Sequence, residues 1–201
     1  MRADVFGHRF AYTVYMFPVI ETINQDILLF LYHAGTSSPF ASMLTIFFAE
    51  WLPFLLIAFA VAYELFIHEW SEVWRPLTRL FCAPFIAFIL TEILKHVIHA
   101  PRPFADGLNI TPLVSVSDAF GSMPSAHAAF FSALAVVVCI VKPRIGKWYF
   151  AAALLIGVSR IAAGVHFPSD ILAGFTLGVS VAFFIEMFRH LIFFERKADH
   201  F

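Results

Sequence analysis

The sequence predicts an all-α integral membrane protein, a bundle of five to six transmembrane helices with an N-terminal surface helix. Of its 201 residues 61% are hydrophobic and 13% are charged, whereas a soluble domain is about half apolar and about a quarter charged. Long apolar runs alternate with short polar turns, and several reach the roughly 20 residues that a helix needs to cross a bilayer. No internal repeat or linker-like segment divides the chain, so residues 1–201 are predicted to form a single membrane-embedded domain.

The first apolar segment, residues 10–34, carries conflicting signals. Its second half, residues 20–34, is too short to span a bilayer and is polar at one end, which favours a helix that lies on the membrane surface. A complete span over residues 11–31 is the alternative. The interruptions are Pro18, Glu21, Asn24, Gln25 and Asp26.

Five later runs are predicted to span the membrane, with polar turns between them at residues 68–79 and 142–147. Pro53 is a point at which the first of these helices can bend, because proline lacks the N–H group that a helix interior uses. One long loop, residues 100–122, separates the second and third spans, and loops of that length are often functional. The predicted spans are residues 40–67, 80–99, 123–141, 148–164 and 167–194.

The distribution of positive charge predicts the orientation. Eight of the thirteen Lys and Arg residues lie on one side of the five spans, and positive charge accumulates in cytoplasmic loops. We therefore predict a multi-pass protein of the cell membrane with a cytoplasmic C-terminus. These eight residues are Arg75, Arg79, Lys142, Arg144, Lys147, Arg189, Arg196 and Lys197.

On the opposite, outer face the predicted orientation places Lys95, Arg102 and Arg160. A cation within a bilayer costs about 2.5–3.5 kcal/mol on insertion scales, and no equal number of carboxylates lies nearby in the sequence. The pattern therefore predicts a binding site for an anion such as phosphate, which arginine binds through its planar fork and lysine as a point charge. The alternative is that these side chains only extend from the span ends to water.

Two further segments add catalytic side chains to this face. Pro124 and Ser125 open a predicted helix, whose free N–H groups favour an anion, and His127 follows. His166 and Asp170 are four residues apart, so the carboxylate can orient the imidazole as a nucleophile. The simpler alternatives are a helix cap at Ser125 and an interfacial polar residue at His127. Together these residues predict phosphoryl transfer, with His166 attacking phosphorus and His127 protonating the leaving oxygen.

A metal site is the main chemical alternative, since a set of histidines and aspartates could supply ligands. The three cations would repel a metal ion in the same space, so we predict no metal and no other cofactor; His96 and His99 are instead expected to be interfacial. The alternative ligand set is His96, His99, Asp106, His127, His166 and Asp170.

These polar segments resemble the signature of the type 2 phosphatidic acid phosphatase family of membrane lipid phosphatases. A lysine followed after six residues by Arg-Pro is matched from Lys95 to Pro103. The family's Pro-Ser-Gly-His block is matched by residues 124–127, with Ala126 in place of the glycine. The third block, Ser-Arg, five residues, His, three residues, Asp, is matched in full by residues 159–170.

The resemblance implies a helical bundle with His166 as nucleophile, Asp170 as its orienting carboxylate and His127 as the acid. It also implies a metal-independent reaction on a lipid phosphate held by a second set of residues. Small members are similar to bacterial undecaprenyl-diphosphate phosphatases, while others act on phosphatidylglycerophosphate, phosphatidate or lipid A phosphates. The phosphate-binding set implied is Lys95, Arg102, Ser125 and Arg160.

The predicted partners are thus a lipid phosphate and the membrane, with the oligomeric state left open. The formal net charge of -1 gives no general attraction to nucleic acid. A transporter or channel is the alternative from another class, because Glu50, Glu64 and Glu92 lie within spans. Glu92 is expected to pair instead with Lys95 or Arg160.

Overall fold

The computed structural model describes residues 18–116 and 118–198, and these form an all-α bundle, as predicted. Helix α2 includes one π-helical turn, and a short 3-10 helix, Pro103–Ala105, lies in the long loop. The helices are α1 Pro18–Thr36, α2 Pro39–Ile67, α3 Trp74–Ile98, α4 Ala126–Val141, α5 Pro143–Ala162 and α6 Pro168–Ala198.

Four helices of the described chain are long and apolar enough to cross a membrane: α2, α3, α5 and the Pro168–Leu191 part of α6. Helix α4 is also apolar but has 16 residues, about 24 Å at 1.5 Å per residue. It packs against α3, α5 and α6, and most of its side chains are buried. The shortest of these helices is therefore the central one, and it holds its neighbours together.

Three predicted boundaries are corrected by the structure. Helix α5 begins at Pro143 rather than residue 148, because proline suits the first helical position, so most of the predicted turn at residues 142–147 is helical. Helix α3 begins at Trp74 rather than residue 80, because Pro76 lies in the first turn, where its missing N–H is not needed. Helix α4 begins at Ala126 rather than residue 123, since Ser125 is an extended N-cap. Residues 20–34 are helical within α1, which is not among the candidate spans, while residues 10–17 lie outside the described residues.

A π-helical turn, Phe47–Trp51, interrupts α2 and ends two residues before Pro53. The N–H group of Leu52 donates to the carbonyl of Phe47, five residues back instead of four. Pro53 has no N–H group to donate to the carbonyl four residues before it, so the wider turn lies where regular helical bonding is already broken. Such turns are frequent at functional sites, and this one carries Glu50.

Helix α6 lies very close to α4 at Gly174. A Cβ atom at this position would lie 2.5 Å from the carbonyl oxygen of Ser125 and 2.9 Å from the Cβ of Ala128. Only glycine therefore allows this approach, which is a common role of small residues between membrane helices.

The loop between α3 and α4 is fixed at both ends. Pro101 and Phe120 form an antiparallel bridge, the Arg102 N–H donates to the Ala119 carbonyl at 2.9 Å, and the Ser122 N–H donates to the Ala100 carbonyl at 3.1 Å. The loop therefore begins and ends at the same place, beside the C-terminal end of α3 and the N-terminal end of α4.

Helix α1 packs against this same end of the bundle. The side chain of Asn24 donates to Ser169 Oγ at 3.0 Å and accepts the Ser169 N–H at 2.9 Å. The Tyr32 hydroxyl donates to the carbonyl of Thr111 at 3.0 Å. Helix α1 thus holds both the first turn of α6 and the middle of the long loop.

Candidate active site

The three polar segments meet at one end of the bundle. Lys95 lies in the last turn of α3, His127 in the first turn of α4, and Arg160 in the last turn of α5. The positive charges of Lys95, Arg102 and Arg160 act on His127, as does the neighbouring His166. Residues predicted from three separate stretches of sequence therefore form one cluster.

His166 lies in the short connection between α5 and α6, behind a turn that glycine makes possible. Gly164 has a φ of +74°, a conformation that side chains with a Cβ rarely adopt. The chain then extends through His166, which is 2% exposed, and α6 begins at Pro168. Pro168 suits the first helical position because its fixed φ matches the helix.

Asp170 lies in the first turn of α6 with no exposure to solvent. Its Oδ2 accepts the backbone N–H of Phe167 at 2.8 Å and lies 3.5 Å from Nδ1 of His166. The separation of 3.5 Å exceeds a normal hydrogen bond, so the two groups form a close electrostatic pair. Burial lowers the pKa of His166 to about 4, although Asp170 acts to raise it. The imidazole is therefore neutral at pH 7, the form required of a nucleophile.

Ser122 is a member of this cluster that sequence reasoning missed. Its hydroxyl lies 2.5 Å from Oδ2 of Asp170 and is completely buried. Its only signal in the sequence was its place two residues before Pro124, next to a recognised motif. The contact joins the end of the long loop to the first turn of α6, which no local pattern predicts.

Arg102 is held in a fixed orientation by neutral acceptors. Its Nε donates to the carbonyl of Asp118 at 2.9 Å, and one terminal nitrogen donates to the carbonyl of Val165 at 3.0 Å. Burial lowers the pKa of Arg102 while nearby carboxylates raise it, but an arginine stays charged in proteins. The second bond ties its guanidinium to the residue next to His166.

The other two cations are each bound by a carboxylate. Arg160 lies 3.3 Å from Glu50, which is carried by the π-helical turn of α2. Lys95 lies 2.7 Å from Glu92, so the predicted pairing of Glu92 with Lys95 is confirmed. Glu50 entered the sequence analysis only as a transport candidate, and the structure places it in this site.

Ser125 combines two features of an anion site. It is the N-cap of α4, yet its own hydroxyl makes no capping bond and is buried without a hydrogen-bond partner. Its backbone N–H donates to the carbonyl of Asp170 at 3.0 Å. The hydroxyl is thus a buried donor beside the catalytic candidates, at the positive end of a helix.

The remaining candidate metal ligands lie apart from this cluster. His96 and His99 are exposed; His96 contacts a carbonyl of its own helix at 2.7 Å, and His99 stacks on Phe120. Asp106 is exposed in the loop, and partial burial and Glu21 raise its pKa. Within residues 18–116 and 118–198, no group of three or more His, Cys, Asp or Glu side chains is arranged to hold a metal ion.

Comparison with known proteins identifies the family. Residues 76–192, more than half of the chain, match the PAP2 superfamily. The chain belongs to the PAP2 superfamily. The match contains the whole cluster except Glu50, and the resemblance that the sequence motifs indicated is confirmed.

Two relatives and one solved structure illustrate the similarity. The chain is 28% identical over 167 residues to the bacitracin transport permease protein BcrC of Bacillus licheniformis, covering 81% of this chain and 79% of that one. It is 36% identical over 102 residues to an undecaprenyl-diphosphatase of Sulfolobus acidocaldarius, about half of each chain (49% and 48%). The crystal structure of Aquifex aeolicus LpxE matches with a TM-score of 0.66 at 27% identity, covering 81% of this chain and 93% of that chain. The PAP2 protein described here is thus an integral membrane protein of a lipid phosphatase family.

Proposed function

We propose that this PAP2 protein hydrolyses a lipid diphosphate, with undecaprenyl diphosphate as the favoured substrate. The observation that carries the proposal is the buried His166, paired with Asp170 and surrounded by His127, Arg102 and Arg160. The name of the Sulfolobus relative, undecaprenyl-diphosphatase, supports this choice of lipid. Phosphatidylglycerophosphate and phosphatidate are the alternative substrates.

The first step forms a phosphohistidine. The Nε2 lone pair of His166 attacks the terminal phosphorus, the bond from phosphorus to the bridging oxygen breaks, and its electron pair stays on that oxygen. The bound anionic substrate favours the protonated form of His127, which then gives its proton to the same oxygen, so the lipid leaves as a monophosphate. Asp170 stabilises the positive charge that develops on His166.

The second step regenerates the protein. His127, now neutral, takes a proton from water, and the resulting hydroxide attacks phosphorus. The nitrogen–phosphorus bond breaks and its electrons return to His166, which releases inorganic phosphate. In both steps Lys95, Arg102 and Arg160 stabilise negative charge on the phosphoryl oxygens, and Ser125 donates a hydrogen bond to one of them.

We also propose that the site faces the outside of the cell membrane and that the C-terminus is cytoplasmic. The connections α2–α3 and α4–α5 lie at the end of the bundle opposite the site, and Lys and Arg residues lie in or next to both connections. These residues are Arg75, Arg79, Lys142, Arg144 and Lys147. Ser71→Cys, in the first connection, and Gly107→Cys, in the loop beside the site, can each be labelled in intact cells with a membrane-impermeant maleimide, in a chain whose Cys82 and Cys139 are replaced by serine. Labelling at residue 71 but not at residue 107 would reverse the assignment.

The decisive test is release of inorganic phosphate by the full chain in detergent with EDTA. Undecaprenyl diphosphate, phosphatidylglycerophosphate and phosphatidate are compared at equal mole fraction. We expect the highest kcat/KM with the diphosphate, no release by His166→Ala, and normal release by His96→Ala, an exposed histidine at the same end of the bundle. A preference for either glycerolipid would replace the proposed substrate, and normal release by His166→Ala would refute the mechanism.

Transport is the alternative from another class, and the name of the Bacillus licheniformis relative refers to transport. The three carboxylates that suggested a transport path are paired: Glu50 with Arg160, Glu64 with His68 and Glu92 with Lys95. These pairings support hydrolysis over transport, because two of the carboxylates bind cations of the candidate phosphate site. If no lipid is hydrolysed, flux measurements in proteoliposomes are the appropriate test.

A further inference from the structure

We propose that Glu50 competes with phosphate for the guanidinium group of Arg160 and so promotes release of the inorganic phosphate product. This inference rests on the proposed function, in which Arg160 binds the phosphoryl group. It assigns to Glu50 a regulatory role at the site, distinct from the chemical steps.

The geometry places Glu50 on the accessible side of Arg160. The side chain of Arg160 is 6% exposed, whereas that of Glu50 is 40% exposed. A carboxylate that the protein encloses only partly therefore reaches a buried guanidinium, to which it binds through one terminal nitrogen at 3.3 Å. The Nε of the same guanidinium is buried without a hydrogen-bond partner, so Arg160 has a donor available for a second acceptor.

The two arginines of the site are held in different ways. Arg102 is oriented by two backbone carbonyls, which are neutral and fixed in the fold. Arg160 is instead bound by a charged side chain that the protein encloses only partly and that can move away by rotation about its own bonds. Of the two, Arg160 is therefore the one whose phosphate affinity depends on a competing anion.

Phosphate and Glu50 cannot both bind Arg160 closely without placing two anions side by side. Phosphate carries up to two negative charges and binds best to a guanidinium through two parallel hydrogen bonds, and repulsion between the two anions then favours departure of the carboxylate. When the phosphate group departs, Glu50 rebinds. Glu50 therefore weakens the binding of phosphate, and it weakens the binding of substrate through the same contact.

Lys95 and Glu92 repeat the arrangement on α3. The lysine side chain is 14% exposed, and its carboxylate partner is 40% exposed, 2.7 Å away. Because the pair lies within one helix, three residues apart, Glu92 can rebind after only a small movement. The Glu50–Arg160 pair instead joins residues 110 positions apart, and it depends on the π-helical turn that presents Glu50.

The test is a change in phosphate affinity on Glu50→Gln in the full chain. Glutamine keeps the shape of the side chain and removes its charge. We expect the inhibition constant for inorganic phosphate to fall about tenfold and the KM for the lipid to fall in parallel, since one repulsive charge is removed next to the anion. With release slowed, kcat should fall or stay level. Loss of folding cannot produce tighter binding, so a structural role alone would not give this result.

The matched control is Glu64→Gln, which removes the same charge from the same helix. Glu64 pairs with His68 near the other end of α2, and this variant should leave the phosphate inhibition constant unchanged. An unchanged or higher inhibition constant in Glu50→Gln would overturn the proposal. So would an equal fall in both variants, because the effect would then not depend on Arg160.

A binding measurement separates this inference from the proposed function. The affinity of inorganic phosphate for the wild type and for Glu50→Gln can be measured by phosphorus NMR line broadening, without turnover. Tighter binding of phosphate by the variant supports the role of Glu50 even if none of the three lipids is hydrolysed. A lack of hydrolysis would refute only the proposed substrates. Absence of phosphate binding in both proteins would refute the competition between Glu50 and phosphate, whatever the result of the lipid assay.

Discussion

The hydroxyl of Ser122 lies 2.5 Å from Oδ2 of Asp170, and neither side chain is exposed to solvent. The same oxygen accepts the backbone N–H of Phe167 at 2.8 Å. Two donors from different segments thus fix the carboxylate against His166. Ser122 is a positioning residue in this arrangement, because it acts on His166 only through Asp170.

We therefore expect Ser122→Ala to lower kcat about tenfold with little change in KM, the effect of losing one buried hydrogen bond of about 1–1.5 kcal/mol. Steady-state kinetics with Asp170→Asn and the double variant provide the check. Because the serine works through the aspartate, the double variant should be little worse than Asp170→Asn alone. Multiplicative losses in the double variant would mean that Ser122 acts independently of Asp170.

His127→Ala should nearly abolish hydrolysis of lipid diphosphates, because the leaving oxygen then receives no proton. A substrate with a better leaving group, such as p-nitrophenyl phosphate, needs less protonation. With it, the variant should form the phosphohistidine rapidly and hydrolyse it slowly, so that a burst of p-nitrophenol precedes the steady state. An equal loss with both substrates, without a burst, would exclude His127 as the acid.

Formation of the phosphohistidine should persist to low pH. Burial lowers the pKa of His166 to about 4, so the nucleophile is about nine-tenths neutral at pH 5, where an unperturbed histidine would be almost fully protonated. Rapid-quench measurements of the phosphoenzyme with p-nitrophenyl phosphate should show its yield declining only as the pH falls toward 4. Half-loss near pH 6.5 would show instead that His166 titrates as an exposed histidine does.

The same pKa difference has a defined effect on stability. Between pH 6.5 and 4 an unfolded chain binds a proton at this histidine before the folded chain does, so acidification through this window favours unfolding. Circular dichroism at each pH is therefore needed as a control for the phosphoenzyme measurements. A decline in yield that follows the loss of helicity would not report on the nucleophile.

Gly174→Ala should destabilise the bundle and lower activity together. The added Cβ would lie 2.5 Å from the carbonyl oxygen of Ser125, so α4 and α6 must separate, at a cost of about 1–3 kcal/mol. Thermal unfolding in detergent measures the first effect and phosphate release the second. The control Leu172→Ala, two residues away on the exposed face of α6, should change both quantities much less.

Chelation of divalent metals should leave hydrolysis unchanged. The proposed mechanism stabilises the phosphoryl oxygens with Lys95, Arg102 and Arg160, so it requires no metal ion. This prediction is tested by measuring phosphate release before and after dialysis against EDTA. Loss of activity that added Mg²⁺ or Zn²⁺ restores would favour the metal alternative.

The apolar spans were the most predictable part of the fold. Predicted residues 40–67 became Pro39–Ile67, and residues 148–164 fall almost entirely within Pro143–Ala162, because about 20 apolar residues in succession can avoid water only in a membrane. Polar turns were less predictable. Helix α3 begins six residues before the predicted start, because a membrane helix can extend beyond its apolar run when its charged side chains reach water or a partner. Arg79, in this early part, pairs with Glu186 at 2.8 Å.

The sequence by itself determined the membrane class, the family and the seven candidate site residues, because hydropathy and motif spacing are local properties of the chain. Only the tertiary structure decided that Ser122 supports Asp170 and that Glu50 binds Arg160. These partners are 48 and 110 residues apart, and they meet because α4 packs centrally and α2 bulges at its π-helical turn. Hydropathy does not encode which polar groups face each other across a bundle, since this depends on how each helix is rotated and how closely it packs.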